Sequence, residues 1–450
     1  MAESDRLSRR AFLGRTVGLG TATVAMPYFV RSAALAAAGR KGANDRINVA
    51  VIGTGSLAKG WHFPQLLEQQ DVAIVAVCDV WQERLDEAVK RCEGTAKGHR
   101  DWREVMQRDD VDAVVIVTPP HWHALQAIAA AEAGKDFYVE KPMTLHPAET
   151  LAVLRAVREH NTITQVGTQI HAGDNYRRVV EYVRSGQLGQ ISSARTFNIM
   201  NQGPEGLGDT PDSDPPAGLD WEMWVGPAVM RRFNPLITHD AYTHSSFMAY
   251  SGGWTPGMAP HIIDLPYWAL GLDAPRRTTA IGGRYVIQDP GDAYDCQQVL
   301  WEYDKFAMHW NTSLVNSYGM DFQGEAGMRR RLGVYLHGVN GTLMADYGTM
   351  RIVPEGDRMK DAQTPPESIP ASKGHHREWL DCIRSREQAT CHVGYHYKLD
   401  LALTLANLSM RLKRTIEFDP QALTIVGDPE AARLARPTYR DPWKLPEKYL

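Results

Sequence analysis

The run Gly53-Thr54-Gly55-Ser56-Leu57-Ala58 has the spacing of a turn that holds a pyrophosphate. In such a G-x-G-x-x-A turn the first glycine permits a tight bend and the second lets backbone approach the phosphates. The small residue Ala58 lets the following helix pack close to its strand, and the helix N-terminus offers N–H donors and a positive dipole end. Gly and Ala are common, so the turn alone is a weak signal. Its surroundings strengthen it: the run from Val72 ends in Asp79, at the interval where an acid meets the adenosine ribose hydroxyls. An acid at Asp79 favours NAD over NADP by repelling a 2′-phosphate, and no arginine follows directly, since Val80-Trp81-Gln82 come next.

Strands and helices must place these groups. Ile47 to Gly53 is a short β-branched run, as expected of a parallel strand buried on both faces. Val111 to Pro120 reads as a strand ending in the loop Thr118-Pro119-Pro120, and His121 to Lys135 as a helix closing near Gly134. Asp136 to Pro142 is a further strand, Thr150 to Asn161 a helix, and Thr162 to Thr168 another strand. This alternation implies an α/β fold whose N-terminal Rossmann domain, residues 46–170, has a parallel sheet with right-handed crossovers. Cofactor and substrate then meet at the C-terminal strand edge, where Gly53, Asp79, Thr118 and Glu140 all fall.

The chain has 450 residues, 43% hydrophobic and 23% charged, which is ordinary globular composition with apolar material for two cores. A formal charge of −4 gives no reason to expect nucleic acid or an anionic membrane as a partner. The five cysteines form no CxxC pair, and no cluster of His, Asp and Glu has metal-ligand spacing, so no metal is expected. Residues 1–39 read as a secretory signal: Arg9 and Arg10, then an apolar stretch too short to span a membrane, then A-x-A-like sites near Ala34 to Ala38. The paired arginines make it resemble a twin-arginine signal. The expectation is an exported protein, periplasmic or otherwise outside the cytoplasm, with the export machinery as a partner and no membrane span after cleavage. An exported nicotinamide enzyme leaves the pool that recycles its cofactor, so NAD should be tightly bound.

Several stretches together resemble the glucose–fructose oxidoreductase, inositol dehydrogenase and MocA family. They are Val117 to Ala124, Val139 to Glu149, Gln165 to Gly173, Val183 to Ile191, Gly218 to Ala228 and Pro260 to Gly271. The triplet Glu140-Lys141-Pro142 in its strand context is the most specific of them, and the tail Thr438 to Pro446 looks like the arm of exported members. The resemblance implies a C-terminal α/β domain, residues 171–420, with a large, open, mostly antiparallel sheet beginning near Ile191, followed by an arm at 421–450. Strand-like runs at 191–200, 277–288, 297–313, 330–346 and 350–356 agree, as do helical runs at 376–386 and 399–414. The Asp- and Pro-rich segment 201–219 looks like a loop over the site. In this family the sheet face often joins subunits, which implies a homo-oligomer.

The resemblance also places Lys141 beside the nicotinamide and the reacting hydroxyl, where a lysine can bind the alcohol and relay its proton. Glu140 would orient the lysine or the carboxamide end of the cofactor, and Thr118, Pro119 and His123 would line it. Sugar dehydrogenases of the family carry an Asp four residues before a catalytic His. His261 fits the histidine, but the earlier position is Gly257, which has no side chain to bind a hydroxyl. His261 is therefore assigned with Lys141 as catalytic, acting alone or oriented by Asp264 at i,i+3; His239, Asp240 or His244 could reach in instead. The leading function is NAD-dependent oxidation of a sugar, polyol or related carbohydrate. An alternative is redox-neutral glycoside cleavage, in which oxidation acidifies a neighbouring C–H, the aglycone is eliminated, water adds and the hydride returns. That path needs a base for the carbon acid, such as His261, Tyr242 or Tyr318. The remaining alternative is an inactive cofactor-binding sensor.

Overall fold

Apolar residues fill nearly every position of β1 (Ile47–Ile52), and Val49, Ala50 and Val51 are wholly buried. Such a strand must have elements on both faces, which is the situation of a central parallel strand. The computed structural model describes residues 45–200, 202–240, 242–316 and 331–450; the signal assigned to 1–39 and Tyr318 lie outside the described residues.

β1 pairs in parallel with β2 (Val72–Cys78) on one side and β4 (Ala113–Ile116) on the other. With β3 (Lys97–His99), β5 (Asp136–Val139) and β6 (Thr164–Val166) the order is β3-β2-β1-β4-β5-β6, all parallel. The chain runs outward from β1 in one direction and from β4 in the other. That reversal opens a crevice at the carboxyl ends of the strands.

The second sheet has nine strands in the order β13-β12-β11-β7-β10-β9-β8-β14-β15. They are β7 (Ile191–Ile199), β8 (Arg277–Gly283), β9 (Cys296–Tyr303), β10 (Phe306–Ser313), β11 (Arg331–Gly338), β12 (Gly341–Ala345), β13 (Met350–Pro354), β14 (Ile416–Asp419) and β15 (Thr424–Ile425). Every pairing is antiparallel except β7 with β10. The expected mostly antiparallel sheet is present. Alternate residues such as Val299, Trp301, Met308 and Trp310 face a core shared with helix Pro260–Leu270, while Leu300 and Ile281 face outward and are exposed.

Helix Val393–Leu412 is apolar around most of its circumference because it forms a wall of both cores. Its residues Val393, Leu401 and Leu405 join the Rossmann core, and Leu399, Leu403 and Ala406 join the core under the large sheet. The cores do not follow the linear limits set from sequence. Helix His375–Ser385 places Trp379 and Leu380 against Val49 and Tyr138, and the arm lays Trp443 on Trp122 at 4.6 Å between rings. The C-terminal segments thus brace the dinucleotide domain. Among the described residues no helix is long and apolar enough to cross a membrane.

Candidate active site

A cleft lies over the carboxyl ends of β1, β2, β4 and β5. Gly53, Gly55, Asp79, Thr118, Pro119, His123, Glu140 and Lys141 all line it. Ala58 does not; it is fully buried beneath, packed with Val49 and Val51, as its small size allows.

Gly53 has φ +87°, and a Cβ there would stand 2.7 Å from the Thr118 nitrogen and the Val117 carbonyl. Two loops therefore touch at this point, leaving the first helical turn, Gly55-Ser56-Leu57, to face the cleft. This cradle fits a pyrophosphate. Replacing Gly53 with alanine is expected to cost about 1–3 kcal/mol through strain at positive φ and to abolish nucleotide binding. Thermal unfolding with and without NAD checks both; an unchanged NAD-dependent shift would count against the cradle.

Asp79 accepts hydrogen bonds from the Thr54 amide (2.8 Å) and hydroxyl (3.0 Å) through one oxygen and from the Trp81 amide (2.9 Å) through the other. It caps its strand end and still presents its carboxylate to the cleft. Sequence reading missed Arg84, whose guanidinium reaches the same end from helix Gln82–Arg91. It lies 4.4 Å from the Trp81 ring centroid and donates to the Thr238 carbonyl at 2.8 Å. Its helical position, one turn past Trp81, was the available signal.

His123 sits with Nδ1 2.8 Å from the Pro142 carbonyl and Nε2 2.6 Å from the Thr118 carbonyl. It ties the loop after β4 to the loop after β5, so its task is to hold the cleft wall. Glu140, 5% exposed, lies 3.1 Å from His62 Nε2 and accepts from the Lys141 amide at 3.1 Å. Burial pushes its carboxyl up, but the His62 contact and the nearby Lys141 charge outweigh that and hold it below the usual range. Lys141 Nζ donates to the Gly257 carbonyl at 3.4 Å. The lysine thus reaches the segment where the family's Asp would stand.

The structure does not bring His261 to this cleft. Its ring lies 6.0 Å from that of Tyr347, its carbonyl accepts from Tyr176 at 2.5 Å, and it is not among the described residues lining the cleft. Asp264 does not orient it either: that carboxylate is held by His171 Nδ1 at 2.8 Å and by the Tyr395 hydroxyl at 2.6 Å. His239 is exposed on the surface, its side chain 72% accessible. Of His239, His244 and His261, it is His244 that lines the cleft, together with Asp240, Tyr242, Ser245 and Gly257. Burial and the nearby Lys141 charge push His244 down to about 3, so it is neutral at working pH. A Cβ on Gly257 would meet the Ser245 hydroxyl at 3.6 Å, an ordinary contact, so the segment carrying His244 and Ser245 lies beside the position where the family's Asp would stand.

Two family descriptions match the chain: an oxidoreductase family with NAD-binding Rossmann fold over residues 47–168, and its C-terminal alpha/beta domain over 190–445. A glycosyl hydrolase family 109 protein of Shewanella baltica (strain OS185) is 30% identical over 41% of this chain and 44% of its own length. The levoglucosan dehydrogenase of Pseudarthrobacter phenanthrenivorans is 29% identical over 43% of this chain and 49% of its own. The matched segments thus span about half the length of these curated relatives. Among solved structures, GenD2 from gentamicin A biosynthesis in complex with NAD superposes with TM-score 0.60 at 20% identity, over 86% of this chain and 99% of that one. A levoglucosan dehydrogenase with NADH and levoglucosan gives 0.57 at 19% identity, over 83% and 99%. At those identities the structural likeness concerns the fold.

Proposed function

Because the chain belongs to the glucose–fructose oxidoreductase, inositol dehydrogenase and MocA family of NAD-dependent oxidoreductases, we propose that it oxidises a carbohydrate hydroxyl at the cleft over β4 and β5. The observation that carries this is the meeting of Lys141 with Gly257 and the His244 loop at one end of a cleft whose other end holds Asp79. NAD, when bound, supplies the hydride acceptor at nicotinamide C4. Lys141, as the free amine, binds the hydroxyl and takes its proton, becoming the ammonium. His244, neutral through burial, accepts a hydrogen bond from the same or a neighbouring hydroxyl and takes the place of the missing Asp. Ser245 and Tyr242 supply further polar contacts for a sugar.

A second reading is redox-neutral cleavage of a glycoside, in which a C–H made acidic by oxidation next door loses its proton to a base. Tyr242, which lines the cleft with Lys141, is the candidate for that base. Relatives of both kinds, a glycosyl hydrolase and a sugar dehydrogenase, fit these alternatives. Incubating the purified protein with free sugars and with glycosides, while following reduced-nicotinamide absorbance and released aglycone together, separates them. Net NADH from a free sugar is expected of the dehydrogenase. Aglycone released without net NADH would move the assignment to cleavage, and neither signal across the panel would count against both.

We further propose export through the twin-arginine-like segment at 1–39 with NAD already tightly bound, and assembly into a homo-oligomer through the open face of the large sheet. The paired arginines support the first, and the exposed Leu300 and Ile281 on that face support the second.

A further inference from the structure

Behind Glu140 lies a chain of buried histidines. His62 Nε2 is 3.1 Å from Glu140 Oε1, and His62 Nδ1 is 2.9 Å from His376 Nε2. Both histidines are buried, His62 completely and His376 to within 1%. His62 closes a π-type turn, Ala58–His62, in the helix that follows the pyrophosphate turn. An extra residue in a helical turn is uncommon and re-aims the side chains around it. The slot for Glu140 is equally specific: a Cβ on Gly167 would stand 2.5 Å from its Oε1. His376 comes from helix His375–Ser385 and stacks on Tyr138 at 4.9 Å with an 11° tilt.

The donors and acceptors of this chain have one consistent order. A carboxylate only accepts, so His62 carries its proton on Nε2 and its Nδ1 is an acceptor. His376 must then donate from Nε2, which leaves its Nδ1 bare. That atom is buried and has no hydrogen-bond partner, as a bare nitrogen can be and an N–H should not be. Were His62 an imidazolium, His376 would accept at Nε2 and bury an unpaired N–H. Apolar side chains would fill this space at lower cost than three polar groups.

We propose that His62 and His376 are positioning residues that hold Glu140 as a fixed anion at the nicotinamide end of the cleft, so that the enzyme binds oxidised NAD in preference to NADH. This rests on the NAD site proposed above. Glu140 ends β5 while Asp79 ends β2, so a dinucleotide laid across the switch point puts its nicotinamide near Glu140. The oxidised ring is positively charged and the reduced ring neutral, so a nearby carboxylate distinguishes them.

The test equilibrates the full enzyme and its variants with equimolar NAD and NADH in excess, removes free nucleotide and quantifies what is retained. The wild type should retain mostly NAD. Glu140→Gln should lower the NAD:NADH ratio on the order of tenfold, and His62→Leu should lower it in the same direction. His62→Gln, which can still donate to Glu140 and accept from His376, should restore most of the ratio. Should His62→Leu not fold, His376→Leu carries the same expectation. A ratio unchanged in the folded Leu variant while Glu140→Gln shifts it would overturn the positioning role and leave the NAD site standing. Retention of neither nucleotide by the wild type would overturn both.

Discussion

Lys141→Met is expected to lower kcat/KM for the carbohydrate substrate by on the order of 10²–10⁴-fold, about 3–5 kcal/mol of barrier, while NAD binding is kept. The side chain lines the cleft and its Nζ reaches the Gly257 carbonyl, away from the Gly53 cradle and Asp79 proposed to hold the rest of the nucleotide. Methionine preserves length and apolar bulk and removes only the ammonium. Lys141→Arg should not rescue, because a guanidinium holds its proton at any working pH and cannot relay it. Steady-state rates, with nucleotide content measured on the same samples, check this. Activity within tenfold of wild type in a variant that keeps NAD would remove Lys141 from the chemistry.

Stability should fall steeply below pH 6.5. Burial pushes His121 down to about 4, although its ring nitrogens lie 3.3 Å from the Tyr250 carbonyl and 3.0 Å from the Trp224 carbonyl. Burial likewise pushes His375 down to about 4, with its Nε2 2.9 Å from the Val166 carbonyl. In the unfolded chain both titrate near 6.5. Between pH 6.5 and 4 the unfolded state therefore binds more protons than the folded one, so stability present above 6.5 is lost as pH falls. Each histidine contributes a slope of up to about 1.4 kcal/mol per pH unit in that window. Glu140, Glu149 and Asp264, all held low by their partners, add loss in the same direction below the usual carboxylate range. Denaturant midpoints at pH 7, 6 and 5 read the slope, and His375→Gln should flatten it. A midpoint constant over that range would contradict the buried neutral histidines.

The dinucleotide half was legible because its signals are local. A parallel strand buried on both faces shows as a β-branched run, and Gly53 to Ala58 and Asp79 hold fixed offsets from β1 and β2. The large sheet showed through its alternating strands, but not the short β3, β14 and β15, which have too few residues for a pattern. The polar pairs were hidden by distance in the chain. Asp264 is three residues from His261 yet bonds His171, 93 positions away, and Glu140 meets His62 across 78. His244 sits on a single 3₁₀ turn, Thr243–Ser246, too short to show periodicity, so only tertiary packing could choose it over His239 and His261. The π-type turn that aims His62 has no mark in the sequence.

Rapid mixing of NAD-loaded enzyme with a substrate, unlabelled or deuterated at the carbon to be oxidised, measures hydride transfer in a single turnover. A burst of reduced-nicotinamide absorbance, slowed by deuterium and lost in Lys141→Met, is expected whether the product is then released or cleaved and re-reduced. Turnover of the same substrate with no absorbance burst and no isotope effect would show that the chemistry does not pass through this cleft's cofactor.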